Sequence, residues 1–258
     1  MDMDNRTKRE KKAYDADNIN EINSKWHIKF SHVYKCPNTI RYKKIFYALI
    51  RANIPGKKVL EIGCGRGNLS QQLFSFGANY VYGIDLSEKF ISEAKNKEIP
   101  GKLEFSNKDV VGAVEGLFDI ICGSGILHHI NYKPVLNHLY SSNLTPGGLM
   151  IFREPLGSNL FMKLWFALGK KAHTPDERPF YKKDLEWLKN TFRCVDIIPI
   201  NFFSFPAGIL SSIIFSNADN FIMQLCDKID YWIAKNIKLL HPNFRQALII
   251  IKKDITPT

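Results

Sequence analysis

An acid precedes three alternate glycines in this chain, and a second acid follows after about one helix of residues. Glu61 lies two residues before Gly63, Gly65 and Gly67, and Asp85 closes the next apolar run. Glycines at this spacing let a backbone approach a ligand without a Cβ in the way. An acid at the end of the second run can accept hydrogen bonds from ribose hydroxyls. A carboxylate before the glycines suits a ligand with an ammonium or sulfonium group.

The spacing of the glycines separates two classes of cofactor. A dinucleotide-binding turn reads G-x-G-x-x-G, and Asn68 occupies the position of its third glycine here. The charge of Glu61 would also be poorly placed beside a pyrophosphate. These departures favour S-adenosylmethionine over NAD and disfavour an NAD-dependent oxidoreductase.

The same residues carry a family resemblance. The chain resembles the class I S-adenosylmethionine-dependent methyltransferases, whose first motif reads E/D-x-G-x-G-x-G and whose second strand ends in an acid. Further landmarks follow in the family's order at residues 107–109, 118–121, 127–129 and 144–148. The resemblance covers residues 57–155 closely. It implies an α/β fold with a doubly wound, mostly parallel seven-stranded sheet, Rossmann-like, with a helical cap and insertions.

The resemblance also implies a cofactor site for S-adenosyl-L-methionine. Its residues would be Glu61, Gly63, Cys64, Gly65, Gly67, Asp85, Leu86, Asp109, Val110 and Gly123. In this family Glu61 would neutralise the ammonium group, Asp85 would hold the ribose, Asp109 would accept from the adenine amino group, and Gly123 would meet the methionine moiety. Asp109 could instead cap a helix, and Glu61 could serve only to orient the amides of the turn.

Three histidines are candidates for catalysis. Methyl transfer needs a base only when the acceptor must lose a proton. His128 and His129 follow the fourth predicted strand, and His173 lies in a later insertion with Asp176 or Glu177 as a partner. The five cysteines are scattered and form no C-x-x-C pair, so the sequence predicts neither a disulfide framework nor a metal site.

Apolar runs and turn residues place the elements around these side chains. Near-continuous apolar runs are typical of buried parallel strands. They predict strands at 58–62, 80–84, 103–107, 118–122, 148–153 and 193–200, and an antiparallel last strand at 246–252. The intervening segments predict helices at 68–76, 88–97, 133–142 and 182–190.

The outer parts of the chain predict the acceptor side. Residues 1–20 are polar and charged, which is typical of a flexible arm, and a helix is expected at 38–52. The predicted organisation is an N-terminal arm with lid helices at 1–56 and a methyltransferase domain at 57–258. Acceptor-site insertions are expected at about 155–190 and 201–242.

Two later segments are unusually apolar. Residues 197–218 carry no charge, but Pro199, Pro206 and Gly208 interrupt them, which disfavours a membrane span. Apolar residues recur at three- and four-residue spacing over 221–237, as on a helix whose apolar face packs in the core. We expect segments 156–168 and 197–214 to wall a hydrophobic acceptor pocket, with peripheral contact to a bilayer surface as an additional interpretation.

Charge and composition limit the remaining classes. The 258 residues carry a net charge of +11, but the lysines are dispersed and do not alternate with aromatic residues, which disfavours nucleic acid as a partner. No secretory pattern opens the chain, so a cytoplasmic location is expected. The predicted function is methyl transfer to a small, lipophilic metabolite at oxygen. The alternatives are an RNA or protein methyltransferase and a non-catalytic S-adenosylmethionine-binding module.

Overall fold

Seven strands form one mixed sheet in the computed structural model, which describes residues 5–15, 18–110, 114–168, 174 and 176–255. The strands are β1 (Lys58–Ile62), β2 (Tyr80–Asp85), β3 (Leu103–Asn107), β4 (Phe118–Ser124), β5 (Leu144–Pro155), β6 (Cys194–Ile200) and β7 (Gln246–Lys252). Their order across the sheet is β3-β2-β1-β4-β5-β7-β6. β1 to β5 pair in parallel, and β7 runs antiparallel to both β5 and β6. The predicted fold class is confirmed.

Helices connect and cover the strands. They are α1 (Asn5–Asp15), α2 (Asn18–Lys29), α3 (Ser31–Lys35), α4 (Pro37–Asn53), α5 (Asn68–Ser75), α6 (Glu88–Lys95), α7 (Tyr132–His138), α8 (Leu160–Leu168), α9 (Lys182–Thr191), α10 (Ser204–Ile214) and α11 (Phe221–Asn236). A short 3-10 segment, Leu127–His129, follows β4, and a second, Lys238–Asn243, precedes β7. α7 continues into a π-helical turn at Leu139–Asn143.

Both faces of the sheet are buried, which explains why the central strands lack an apolar and polar alternation. On β1, Leu60 packs in one core cluster with Leu136 of α7 and Leu188 of α9. Val59 points to the other cluster, with Ile50 of α4. β1 lies between β2 and β4, so the chain reverses its direction of progress across the sheet there. A crevice forms at such a point outside the carboxyl ends of the strands.

The predicted flexible arm over residues 1–20 is wrong where the structure describes it. Residues Asn5–Asp15 form α1, and α2 begins at Asn18. Lys11 and Asp15 form an ion pair of 2.9 Å one helical turn apart, and the side chain of Glu10 is buried against the rest of the molecule. The polar composition therefore reflects a helix that covers a polar site.

The prediction that the apolar stripe of 221–237 packs in the core is also wrong for most of its members. Four of its six members are exposed: Phe221 (72%), Leu225 (57%), Ile229 (37%) and Trp232 (58%). The buried residues of α11 are Met223, Asp230 and Ile233, and only Ile233 belongs to the stripe. The Asp230 carboxylate accepts hydrogen bonds from the backbone N–H groups of Phe202, Phe203 and Ser204, where α10 begins. α11 therefore packs through an acid that caps its neighbour.

The uncharged segment 197–218 divides between β6, a turn and α10. Within the described ranges, no helix combines the length and the apolar character that a bilayer crossing requires.

Candidate active site

The chain turns sharply between β1 and α5 at the three alternate glycines. Gly63, Gly65 and Gly67 have φ angles of 66°, 52° and 73°, a left-handed conformation that other residues rarely adopt. A Cβ at Gly63 would lie 2.8 Å from the Ile126 side chain, and one at Gly67 would lie 2.6 Å from the Phe105 ring. A Cβ at Gly65 would meet nothing within 4 Å. The middle of the turn therefore faces open space, where a ligand can approach the backbone.

Asp85 closes β2 beside this turn. Its Oδ2 accepts a hydrogen bond from the Gly65 N–H at 2.8 Å, and its Oδ1 accepts one from the Ser87 N–H at 2.9 Å. A carboxylate has about four acceptor positions, so two remain for the hydroxyls of a ligand. Burial raises the pKa of Asp85. The arrangement fits the predicted ribose site.

Glu61 is buried beneath the turn and is only 3% exposed. The Ser70 hydroxyl of α5 donates a hydrogen bond to its carboxylate. Burial raises the pKa of Glu61 to about 8, and in the described part of the chain no cation forms an ion pair with it. A ligand ammonium group beside Glu61 would favour its charged form, which fits the predicted role of this residue.

A first cavity of about 270 Å³ opens at the carboxyl ends of β1, β2 and β4. Five of the predicted cofactor residues line it: Gly63, Gly65, Asp85, Leu86 and Val110. Three residues that follow β4 or end it complete this side: Ser124, Gly125 and Ile126. The cavity thus joins the glycine turn to the ribose acid.

A second cavity of about 380 Å³ adjoins the first, because Gly63 and Ser124 line both. Glu61 and Cys64 lie in its wall, so these two predicted residues belong to the second cavity. The side of α4 completes it with Tyr42 and other residues.

The remaining predicted cofactor residues support the walls from outside. Gly67 packs on Phe105, as described above. Gly123 lets β4 pack on β1, since an added Cβ would lie 2.8 Å from the Ile62 carbonyl oxygen. Asp109 is half-buried next to Lys108 and Val110, which both line the first cavity.

The first cavity is covered by α1, a helix formed by residues that the sequence analysis assigned to the flexible arm and not to the lid helices. Glu10, Lys11 and Tyr14 of α1 line it. The Ser87 hydroxyl donates to the Asp15 carboxylate at 2.7 Å and ties the end of α1 to the start of α6. The four-residue spacing of Glu10 and Tyr14 places both on one helix face. That spacing was the available signal, and the polar composition concealed it.

His129 lies in the wall of the first cavity, and α1 contacts it directly. Its Nε2 is 2.9 Å from the Tyr14 hydroxyl, and its Nδ1 is 3.1 Å from Glu10 Oε2 and 3.2 Å from Thr174 Oγ1. Burial lowers the pKa of His129, and the charge of His128 lowers it further. A neutral ring with Nδ1–H directed at the Glu10 carboxylate leaves Nε2 to accept from Tyr14.

His128 lies behind this wall, next to the carboxylates of Glu154 and Glu177. Its Nδ1 is 2.6 Å from Glu154 Oε2, and its Nε2 is 3.5 Å from Glu177 Oε1. Burial lowers the pKa of His128, but the hydrogen bonds with Glu154 and Glu177 outweigh that effect and raise the pKa to about 9. His128 is therefore charged at neutral pH and fixed in place. The third predicted histidine, His173, lies outside the described residues.

The geometry fits a nucleoside cofactor, with a neutral imidazole in the cavity wall. Comparison with known proteins identifies the family of the chain. A family model described as a methyltransferase domain matches residues 39–195, from α4 into β6. The chain belongs to this methyltransferase family. Its cofactor is S-adenosylmethionine, so the predicted family, enzyme class and cofactor are confirmed.

Individual relatives share about a third of their aligned residues with this chain. An uncharacterised protein of Haemophilus influenzae is 31% identical to the methyltransferase over 197 residues, which cover 70% of this chain and 75% of that protein. A ubiquinone biosynthesis O-methyltransferase of Thiobacillus denitrificans is 34% identical over 108 residues, 40% of this chain and 46% of its own length. The match thus spans about half of that relative.

The fold extends further than the sequence similarity. The crystal structure of an S-adenosylmethionine-dependent methyltransferase from Archaeoglobus fulgidus superposes with a TM-score of 0.54 at 18% identity. The superposition covers 83% of this methyltransferase and 93% of that chain. It shows a shared fold.

Proposed function

We propose that this methyltransferase transfers a methyl group to a hydroxyl oxygen of a small acceptor, with His129 as the general base. One observation carries the proposal: the His129 imidazole lines the first cavity and its pKa is lowered from 6.5, so it is neutral at neutral pH. A neutral imidazole at this wall can take the proton of a hydroxyl. The relatives named as ubiquinone biosynthesis O-methyltransferases support oxygen as the accepting atom.

When bound, S-adenosylmethionine supplies a methyl group on a positively charged sulfur, which needs no further activation. The chain itself aligns the acceptor and removes its proton. The Tyr14 hydroxyl occupies the position from which an acceptor hydroxyl would donate to His129 Nε2. His129 Nε2 would take the proton that the acceptor hydroxyl loses when its oxygen displaces the sulfur from the methyl carbon.

Glu10 stabilises the imidazolium that results. Its Oε2 lies 3.1 Å from His129 Nδ1, and its Oε1 is buried without a hydrogen-bond partner in the described residues. A buried carboxylate beside the ring stabilises the positive charge that the ring acquires with the proton. His128 acts as a positioning residue, because its fixed charge keeps His129 unprotonated before the acceptor arrives.

The proposal predicts a pH dependence for transfer to catechol, used as a probe acceptor. We expect kcat/KM to fall by less than half between pH 7.5 and 6.5, and to fall about tenfold per pH unit well below the His129 pKa. The sign follows from a base that must be neutral and whose pKa lies below 6.5. Initial rates with isotopically labelled methyl donor measure the profile, and a loss of more than half of kcat/KM between pH 7.5 and 6.5 would contradict the assignment.

A lipophilic acceptor and contact with a membrane surface find support in an exposed apolar face. We define this face by Leu164 on α8, Leu210, Ile213 and Ile214 on α10, and Phe221, Leu225 and Trp232 on α11, each 52% to 72% exposed. Ring contacts join the three helices: Trp165 and Phe205 are 5.4 Å apart, and Phe215 and Phe221 are 6.1 Å apart. Soluble monomers rarely expose so many large apolar side chains together.

Charge favours an anionic bilayer surface as the partner of this face. Lys228 is exposed three residues after Leu225 and four before Trp232, and Lys163 is exposed beside Leu164. The net charge of +11 adds attraction over a longer range. Burying each large side chain contributes roughly 1.5–3 kcal/mol, and helices with this composition lie in the plane of a membrane interface.

Flotation with vesicles tests this part of the proposal. The methyltransferase is expected to float with vesicles that contain phosphatidylglycerol, and the Leu225→Ser, Trp232→Ser double variant is expected to lose most of that binding. Leu117→Ser is the matched control, because Leu117 is 56% exposed but precedes β4 and lies on none of the three helices. Loss of a dimer in the double variant, with no flotation of either protein, would assign the face to a second copy instead.

A further inference from the structure

Two half-buried arginines stand apart from the ion pairs of the molecule. Five arginines each lie within 4.0 Å of a carboxylate: Arg9 with Asp176, Arg41 with Asp227, Arg66 with Glu93, Arg178 with Asp184 and Arg193 with Asp254. Arg153 and Arg245 have no such partner in the part of the chain that the structure describes. The acid next to Arg153, Glu154, is engaged with His128.

Arg153 borders the second cavity. It lies near the end of β5 and lines the cavity with Lys43 and Tyr42 of α4. The cavity shares Gly63 and Ser124 with the first cavity, so a group bound here lies beside the cofactor site. Its volume of about 380 Å³ falls within the range of small-molecule sites.

Tyr42 provides a second, independent observation. Its side chain is only 3% exposed, and its hydroxyl has no hydrogen-bond partner in the described residues. A buried hydroxyl without a partner is unfavourable. An anion between this hydroxyl and the Arg153 guanidinium would accept from both.

The positive charges of this region are mutually unfavourable without an anion. Burial lowers the pKa of His27, and the charges of Arg245, Arg153 and Lys43 lower it further. Burial likewise lowers the pKa of Arg245, and Arg153 acts in the same direction. The Arg245 guanidinium lies over the Tyr34 ring at 4.9 Å. Like charges in a partly desolvated region repel one another, so an anion bound among them is stabilised.

We propose that the second cavity binds an anionic group of the methyl acceptor, a carboxylate or a phosphate monoester, through Arg153 and the Tyr42 hydroxyl. The inference rests on the proposed function, because it places the acceptor beside the cofactor. The methionine end of the cofactor brings one carboxylate, which Lys43 can balance, and one ammonium group, which Glu61 can balance. Arg153 remains for the acceptor, with Arg245 adding to the positive potential.

The acceptor would then be an amphiphile. Arg245 lies 5.6 Å from the ring of Phe205, which packs with Val33 and Met162 in the cluster beneath α8 and α10. The anionic group would bind at Arg153, and the apolar part would extend toward the helices that carry the apolar face. A small aromatic or aliphatic acid fits both regions.

Calorimetry with benzoate and phenyl phosphate, in the presence of saturating S-adenosylhomocysteine, tests the site. The unmodified protein is expected to bind at least one of these anions and not the neutral benzamide. Arg153→Gln is expected to weaken anion binding about 10- to 100-fold, with the dissociation constant of S-adenosylhomocysteine unchanged. Arg51→Gln is the matched control, since Arg51 is exposed on α4, has no acid partner among the described residues and lies over the Phe76 ring outside the cavity.

Tyr42→Phe keeps the test decisive if Arg153→Gln fails to fold. It removes only a hydroxyl that has no partner in the part of the chain that the structure describes. We therefore expect the midpoint of thermal unfolding to be kept or raised and anion binding to weaken several-fold. Binding of benzamide as tight as that of benzoate, or no anion binding at all, would overturn the proposal. Lost affinity for S-adenosylhomocysteine in Arg153→Gln, with anion binding intact, would also overturn it and assign Arg153 to the cofactor. The proposed oxygen transfer fails separately, through an unchanged rate in His129 variants.

Discussion

Replacement of His129 by alanine is expected to lower kcat for an oxygen acceptor about 100- to 10,000-fold, the usual range for loss of a general base. The neutral ring lines the first cavity and presents Nε2 to the position that Tyr14 now occupies. Affinity for S-adenosylhomocysteine should change far less, because Asp85 and the glycine turn are untouched. Initial rates and calorimetry on the same preparations measure both effects.

Two further variants separate a base from a structural contact. Tyr14→Phe removes the hydroxyl that caps Nε2 but keeps the base, so most of kcat should remain. A loss in Tyr14→Phe as large as that in His129→Ala would show that the pair serves to close α1 over the cavity. His138→Ala, on the exposed side of α7, is the histidine control and should leave the rate unchanged. The acidic limb of the pH profile should disappear only in His129→Ala.

The strands were predictable because their chemistry is local. β1, β3 and β7 begin and end at the predicted residues, and each is a short run of five to seven residues. The glycine turn was equally predictable. Its φ angles near 60°, and the close approach of neighbouring side chains to Gly63 and Gly67, allow few other residues there. β5 extends beyond its prediction at both ends, because Leu144 pairs with Phe118 of β4 and Pro155 pairs with Gln246 of β7, about ninety residues later.

The helices predicted at 38–52, 68–76, 88–97, 133–142 and 182–190 are all present to within a few residues. The formation of α1 and the packing of α11 were less predictable, because long-range contacts decide them. α1 has no apolar face of its own, and its partners His129 and Ser87 lie far along the chain. The helical spacing of the apolar residues in α11 was predictable, but the pattern of one helix does not show which other element covers its apolar face. The capping of α10 by Asp230 turns the stripe outward.

In the candidate active site, too, residues set by local sequence were predictable and residues set by long-range contacts were not. Asp85, Gly63 and Gly65 were predictable because one continuous motif contains them. The choice between His128 and His129 was not predictable, because adjacent residues share every sequence signal. Their different surroundings decide it: acids around His128 keep it charged, and the charge of His128 with burial keeps His129 neutral.

Asp85→Ala is expected to weaken binding of S-adenosylhomocysteine by about 1.5 to 3 kcal/mol, which corresponds to about 10- to 150-fold in the dissociation constant. The carboxylate has two acceptor positions free for ribose hydroxyls. Its other two hold the N–H groups of Gly65 and Ser87 at 2.8 and 2.9 Å. The variant therefore loses ligand contacts and also releases the turn that shapes the first cavity, so the upper part of this range is expected.

Asp119→Ala is the control for Asp85→Ala. It shows whether affinity is lost because ligand contacts are removed or because any strand carboxylate is removed. Asp119 lies on β4 at the opposite end of the sheet and accepts a hydrogen bond from the Lys58 N–H of β1 at 2.9 Å, so it carries the same charge and a similar backbone contact away from the crevice. Its replacement should lower the midpoint of thermal unfolding without changing the dissociation constant of S-adenosylhomocysteine. Equal losses of affinity in both variants would mean that the carboxylates act through stability alone. An unchanged affinity in Asp85→Ala would remove the ribose role, because no rearrangement of the turn could then compensate for two hydrogen bonds to a charged group.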